Sequence, residues 1–288
     1  MRKAFSLSIT MWISAIMIAI GVYFLTLSKK EVNNDKLLLD KLSAYLKVKS
    51  KLAELEYYLA SGKQVYNRVE NTLNGYPSFL LTDGTEYNDS GILFSIQDNG
   101  GLLHSYSLNS YEIMNLAKEN NISDYLIPLN SYRDWSDRDD IALPEGAEAG
   151  WYKVNGFNYV PRNSKIFIKD ELKDIRGWNE ILNRYTKLMT YGIDIGYNYT
   201  AMNAEVLHIK YGIDIQEARK LIRFRKESVS KFLEEFYSIQ KNNYDYESDS
   251  YFPTYVYTIF VTYVSKNIKV HKTIVIDCKK FIIRYGYF

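Results

Sequence analysis

The sequence predicts an α+β fold: one long N-terminal helix packed on an antiparallel sheet, with a large α-helical insert containing helix-hairpin-helix-like units splitting that sheet. Three observations carry this prediction. Residues 5–27 carry no charge, and apolar residues continue at helical steps beyond them. Short strand-like runs stand within 79–108, and strand propensity returns over 255–285, opening on a run rich in β-branched and aromatic residues. Between those runs the pattern is helical.

The bulk numbers bound the class. The 288 residues are enough for one large or two modest domains. Hydrophobic residues make up 47% and charged residues 24%, which excludes a wholly disordered chain. The formal net charge of +2 gives no strong field toward nucleic acid or an acidic partner. Aromatics reach 15%, with 27 tyrosines, a density that suits strand faces and interfaces and equally an AT-rich genome. Cys278 is the only cysteine, so the chain forms no internal disulfide and no zinc site built on two or more cysteines. Its place in the alternating run 273–278 predicts a buried strand thiol. His104, His208 and His271 are far apart and form no recognisable ligand pair.

The N-terminal helix comes first. At about 1.5 Å rise per residue, 5–27 covers roughly 34 Å, enough to cross a bilayer core. Ser6, Ser8, Thr10, Ser14 and Thr26 can return their hydroxyls to the helix backbone. Arg2 and Lys3 precede the stretch; Lys29 and Lys30 follow it. A secretory signal peptide needs a shorter apolar core and a small-x-small cleavage site, and this stretch ends Leu-Thr-Leu-Ser-Lys-Lys. A plain signal anchor fits the same residues. Leu37, Leu38, Leu42, Tyr45, Leu46, Leu52, Leu55 and Leu59 then recur mostly at three- and four-residue steps, and no Pro or Gly intervenes between Gly21 and Gly62. This predicts one continuous helix whose second half lays an apolar stripe on the sheet. An anchor followed by an independent amphipathic helix is the alternative.

The sheet follows. Gly75-Tyr76-Pro77 and Asp83-Gly84 signal turns, with strands at 79–81 and 92–96. Gly100-Gly101 predicts a tight turn into a strand over 102–108. Helices are predicted over 111–119, 169–175, 178–188, 204–211 and 215–236. Strands return at 255–264, 269–277 and 280–285, separated by Lys266-Asn267 and Cys278-Lys279, as an antiparallel meander.

Two features inside the insert carry chemistry. In the first, Ala204 and Leu207 lie on one helix, Gly212 supplies a left-handed turn, Asp214 caps the next helix, and Ala218 and Ile222 face back. This is helix-hairpin-helix-like, with a looser copy at 171–188. Such units bind DNA backbones through hairpin amides and flanking cations, here Lys210, Arg219, Lys220, Arg223, Arg225 and Lys226. A packing motif with a solvated basic face reads the same residues, and the small net charge favours it. In the second, Asp134, Asp137, Asp139, Asp140, Glu145 and Glu148 crowd into fifteen residues. Carboxylates this dense are either solvated, serving as helix caps, or bridged by a hard cation such as Ca²⁺; the spacing is not that of an EF-hand. No G-x-S-x-G, P-loop, G-x-G-x-x-G or H-E-x-x-H occurs, and the expectation is a non-enzyme.

The start Met1-Arg2-Lys3-Ala4-Phe5-Ser6-Leu7 resembles a prepilin leader, which a membrane peptidase cuts here between Ala4 and Phe5. Ala4 stands where Gly is usual, and Ile9 stands at the fifth mature position, where most pilins carry Glu. Lack of that Glu is characteristic of the K-type minor pseudopilin (general secretion pathway protein K) of type II secretion. The chain resembles that family further along its length: Ile96-Gln97-Asp98-Asn99-Gly100-Gly101-Leu102-Leu103-His104, then Asp134-Trp135-Ser136-Asp137-Arg138-Asp139-Asp140, Gly146-Ala147-Glu148 with Tyr152, Pro161-Arg162-Asn163, Glu171-Leu172, Arg176-Gly177, and Asn198 to Leu207. Thr200, Ala201 and Met202 depart from the last motif.

The resemblance implies a pilin-like fold with a leader at 1–4, a transmembrane half-helix at 5–27, a periplasmic half at 28–62, sheet segments at 63–109 and 249–288, and an insert at 110–248. It implies a single-pass inner-membrane protein with its N-terminus cytoplasmic, assembled into a periplasmic pseudopilus. Its partners would be the I- and J-type minor pseudopilins, the major pseudopilin and the inner-membrane secretion platform, with the prepilin peptidase as processing enzyme. It implies a tip position that initiates or caps assembly, and it favours calcium in the insert. A minor pilin or membrane-anchored helix-hairpin-helix protein of a type IV pilus or DNA-uptake system is the alternative function.

Overall fold

The structure, a computed structural model, describes residues 2–71, 77–192, 195–240, 249–265, 268–280 and 282–285. The predicted turn residues Gly75 and Tyr76 and the Lys266-Asn267 loop lie outside those described.

A single helix, α1, runs Arg2–Ser61. It ends where Gly62 donates its N–H to the Tyr58 carbonyl (2.9 Å). A Cβ at Gly62 would stand 2.4 Å from Val69 Cγ1, so glycine lets the chain turn tightly back. Then come β1 Lys63–Val65, β2 Arg68–Glu70, β3 Phe79–Leu81, β4 Asp83–Asp89, β5 Ile92–Asp98 and β6 Leu103–His104. The helices α2 Ser110–Glu119, α3 Leu126–Ser136, α4 Ala149–Val154 and α5 Asn179–Tyr185 follow. Short strands β7 Met189–Thr190 and β8 Tyr197–Asn198 precede α6 Ala204–Tyr211, α7 Ile215–Glu227 and α8 Val229–Gln240. The chain closes with β9 Asp249–Ser250, β10 Val256–Ser265, β11 Ile268–Asp277 and β12 Ile282–Tyr285.

The principal sheet has the order β12-β11-β10-β5-β4, so strands from before and after the helical region are neighbours. β11 and β12 pair antiparallel with Ile274 opposite Tyr285. A second antiparallel sheet is β1-β2-β3. The pairs β6-β7 and β8-β9 are parallel.

The chain divides into two compact units. One comprises 1–53, 88–93 and 261–272; the other comprises 54–87, 94–260 and 273–288. In the first, Ala44, Val48 and Leu52 are buried at four-residue steps. Lys51, also buried, meets Asp89 at 2.5 Å, and Lys47 lies over the Tyr263 ring. Here the expected stripe is corrected. Leu37, Leu38, Leu42, Tyr45 and Leu46 stay exposed and the buried line there passes through Ala44 and Val48, whereas Leu52, Leu55 and Leu59 are buried as expected. In the second unit, Leu55, Tyr58 and Leu59 are buried, and the Tyr58 hydroxyl donates to the Pro77 carbonyl (2.8 Å). Its main core gathers Trp135, Tyr152, Trp178, Tyr185, Leu207 and Phe232 among others.

Four further expectations change. The strand expected over 102–108 shrinks to β6, because Gly100-Gly101 makes no hairpin. Both glycines lie in a 3-10 turn capped by Asp98, and a Cβ on Gly101 would sit 2.4 Å from the Ala201 carbonyl oxygen. Residues 169–174 form a 3-10 helix, not an α-helix. The helix expected over 215–236 splits into α7 and α8 at Ser228, whose backbone is extended (φ −156°, ψ 127°) and whose Oγ accepts from the Lys231 N–H. α3 was not predicted at all: Pro128 reads as a breaker in sequence but occupies the first turn, where its missing N–H costs nothing.

Candidate functional site

The acidic segment forms a loop between α3 and α4, and its anchors come from several elements. Asp134, on the last turn of α3, is fully buried and accepts from the Leu143 N–H at 3.2 Å. Gly146 is required beside it: a Cβ there would stand 2.0 Å from Asp134 Oδ2. Asn130 donates to the Pro144 carbonyl (2.7 Å), and the Arg176 guanidinium to the carbonyls of Glu145 and Gly146 (both 3.1 Å). Asn163 donates its side-chain N–H to Asp140 Oδ1 (3.1 Å) and its backbone N–H to the Trp135 carbonyl (3.0 Å), tying the acidic loop to the loop after α4.

Of the six predicted carboxylates, three converge. Single oxygens of Asp137, Asp139 and Glu148 lie within 4.8 Å of one another. Asp134 stands behind them as a loop anchor. Asp140 is engaged by Asn163, and Glu145 by Arg176 (3.5 Å). Glu148 is the decisive residue. Its side chain, at the start of α4, is buried, yet neither carboxylate oxygen has a hydrogen-bond partner. The adjacent Ala149 backbone N–H pulls its pKa down, but by less than burial and the neighbouring carboxylates push it up. Oδ1 of Asp137 is likewise buried and unpartnered. Burial, then the charges of Asp134 and Asp137, push the Glu148 carboxyl up to about 7. Burial raises Asp137 as well, helped by Asp139. A buried carboxylate without donors is costly. A hard cation would supply what is missing, and the all-oxygen donor set would suit Ca²⁺.

The helical hairpin places its predicted residues together. Asn203 caps α6, Gly212 ends it in the left-handed conformation (φ 66°), and Asp214 caps α7 by accepting from the Gln216 N–H (2.8 Å). Leu207 and Ala218 are fully buried between the helices; Ala204 and Ile222 are half-buried against the same core. Two of the six cations expected to face DNA are committed internally. Lys210 meets Glu112 (3.3 Å) and lies 3.4 Å over the Tyr197 ring. Arg225 is buried and paired with Asp83 (2.8 Å). A cleft of about 210 Å³ beside the hairpin is lined by Glu119 and Glu205 as well as Arg184 and Arg219, so it has no single sign of charge. The looser copy keeps its turn glycine, Gly177 (φ 83°), but its first helix is only a 3-10 segment.

The N-terminal region of α1 is exposed and apolar, including Trp12, Met17, Phe24 and Leu25. It is long and apolar enough to cross a membrane. Ala4 and Phe5 lie within the helical backbone of α1.

No family model matches the chain, and no curated protein matches it. Among solved structures, a chain of the crystal structure of the GspK-GspI-GspJ complex from the enterotoxigenic Escherichia coli type 2 secretion system superposes with a TM-score of 0.54. The match covers 90% of this chain and 100% of that one, at 12% sequence identity. The chain has a pilin-like fold. At this identity the likeness is one of architecture, and it embraces the helical insert as well as the helix and the strands.

Proposed function

We propose that the chain is a minor pseudopilin of a type II secretion system, of the K type. Supporting this reading above all is the end-to-end likeness of fold to a chain from a complex of GspK, GspI and GspJ. The prepilin-like start, with Ile9 in place of Glu, points the same way. In this reading α1 anchors the subunit in the inner membrane, the folded part lies in the periplasm, and I- and J-type pseudopilins are its immediate partners. A bulky insert and the absent Glu suit a subunit with nothing above it, hence a tip position that initiates or caps assembly. The role is structural, not enzymatic. Asp137, Asp139 and Glu148 would hold Ca²⁺, whose charge would offset their repulsion and fix the start of α4.

Mass spectrometry of the N-terminus from native membranes, with and without the prepilin peptidase, tests the assignment. The expected mature chain begins at Phe5 only when the peptidase is present, and then co-purifies with I- and J-type partners. An intact Met1 start in both strains would refute it.

A further inference from the structure

The loops that carry and adjoin the carboxylate cluster expose four apolar side chains. Ile141, in the acidic loop, is 75% exposed, and Val154, the last residue of α4, is 87% exposed. Phe157 and Val160, in the loop that follows, are 40% and 46% exposed. These are tips on two loops that the structure ties together beside the cluster. Asn163 joins the loop after α4 to Asp139 and Asp140, one or two residues from Ile141. Glu148 opens the helix that Val154 ends. Ring contacts from Trp135 through Tyr152 hold Phe157. Residues 149–168 contain no Asp or Glu, while Lys153, Arg162 and Lys165 among them are exposed.

Three protein carboxylates fill only part of the shell of a cation that takes six to eight oxygens. Asp139 is exposed, so such a cation would have a side open to solvent. A surface that offers phosphate oxygens and hydrocarbon side by side matches both features. Its fluidity demands no fixed shape, which suits separate projecting tips better than a closed groove would.

We infer that this loop pair is a calcium-dependent docking site for an anionic phospholipid surface, with Asp137, Asp139 and Glu148 holding the cation and Ile141, Val154, Phe157 and Val160 entering the headgroup layer. The inference rests on the calcium reading above. The full chain, held by α1 in nanodiscs of phosphatidylcholine, is immobilised and exposed to phosphatidylglycerol vesicles with calcium or with chelator, while calorimetry records calcium binding to the same nanodiscs. Expected are a calcium heat and calcium-dependent capture of vesicles. The double variant Val154→Ser, Phe157→Ser should keep the calcium heat and lose capture at least about tenfold, as removal of two inserted apolar side chains implies. Calcium heat without capture, or capture untouched by the double variant, overturns the lipid site and leaves the calcium reading standing. Absence of the heat removes both. Capture that persists in chelator overturns the calcium dependence.

Discussion

At the scale of the residue, Glu148 decides the most. Few buried carboxylates go so short of donors: at most the Ala149 backbone N–H serves it. Without metal, the folded chain holds the Glu148 proton up to about pH 7, against an ordinary value of 4.5. The folded state then binds more protons than the unfolded one between those values, so stability falls as pH rises across that window and stays low above it. Asp134 and Asp137, both raised by burial, act in the same direction. In chelator, the thermal midpoint should therefore be higher near pH 5 than near pH 8. Millimolar calcium near pH 8 should raise it again. Glu148→Gln should flatten the pH difference and abolish the calcium effect. A wild-type midpoint that climbs with pH in chelator, or that ignores calcium, contradicts the assignment. From sequence alone the cluster was visible as composition, but not its membership. What removes Asp140 and Glu145 are Asn163 and Arg176, contacts that no local spacing announces.

At the scale of the element, local chemistry was read where it is self-contained. β3 and α6 have the predicted bounds, and Gly212 and Asp214 end and begin their helices as their residue types require. Errors arise where tertiary contact overrides local signal. Gly100-Gly101 looks like a hairpin turn but serves close packing against the 3-10 turn at 199–201, and Ser228 breaks a helix that periodicity carries through. The hairpin permits a direct measurement. Gly212→Ala forces a left-handed conformation on an L-residue and drives a Cβ to 1.9 Å from the Tyr111 hydroxyl. It should cost at least about 1–2 kcal/mol in denaturant unfolding. Equal stability of the variant would show that α6 and α7 do not depend on this turn.

At the scale of the whole molecule, the long helix carries two kinds of leucine. Leu52, Leu55 and Leu59 are internal, whereas Leu38, Leu42 and Leu46 are more than half exposed. Under the proposed function, a row of bare leucines beyond the apolar span would serve as a surface for the helices of partner subunits. The double variant Leu38→Ser, Leu42→Ser should leave stability within about 0.5 kcal/mol of wild type, as surface changes do. Its co-purification with partner pseudopilins should fall sharply. Undiminished co-purification would place the contact elsewhere. The sequence announced the helix but not which leucines it buries. Periodicity marks a face, but burial at Ala44 and Val48 lies off the leucine stripe that periodicity picks out.

The order β12-β11-β10-β5-β4 has a consequence for biogenesis. A growing chain delivers β5 first, then residues 99–255, and only then its neighbour β10. Throughout that interval β5 presents a bare edge, the feature that invites pairing with other chains. Asp98, at the end of β5, waits as long for Thr254, whose N–H and hydroxyl it finally accepts. The sheet thus closes last, from the chain's final segment. A nascent chain therefore carries an unpaired strand, and a protective chaperone or rapid completion of synthesis would limit its mispairing.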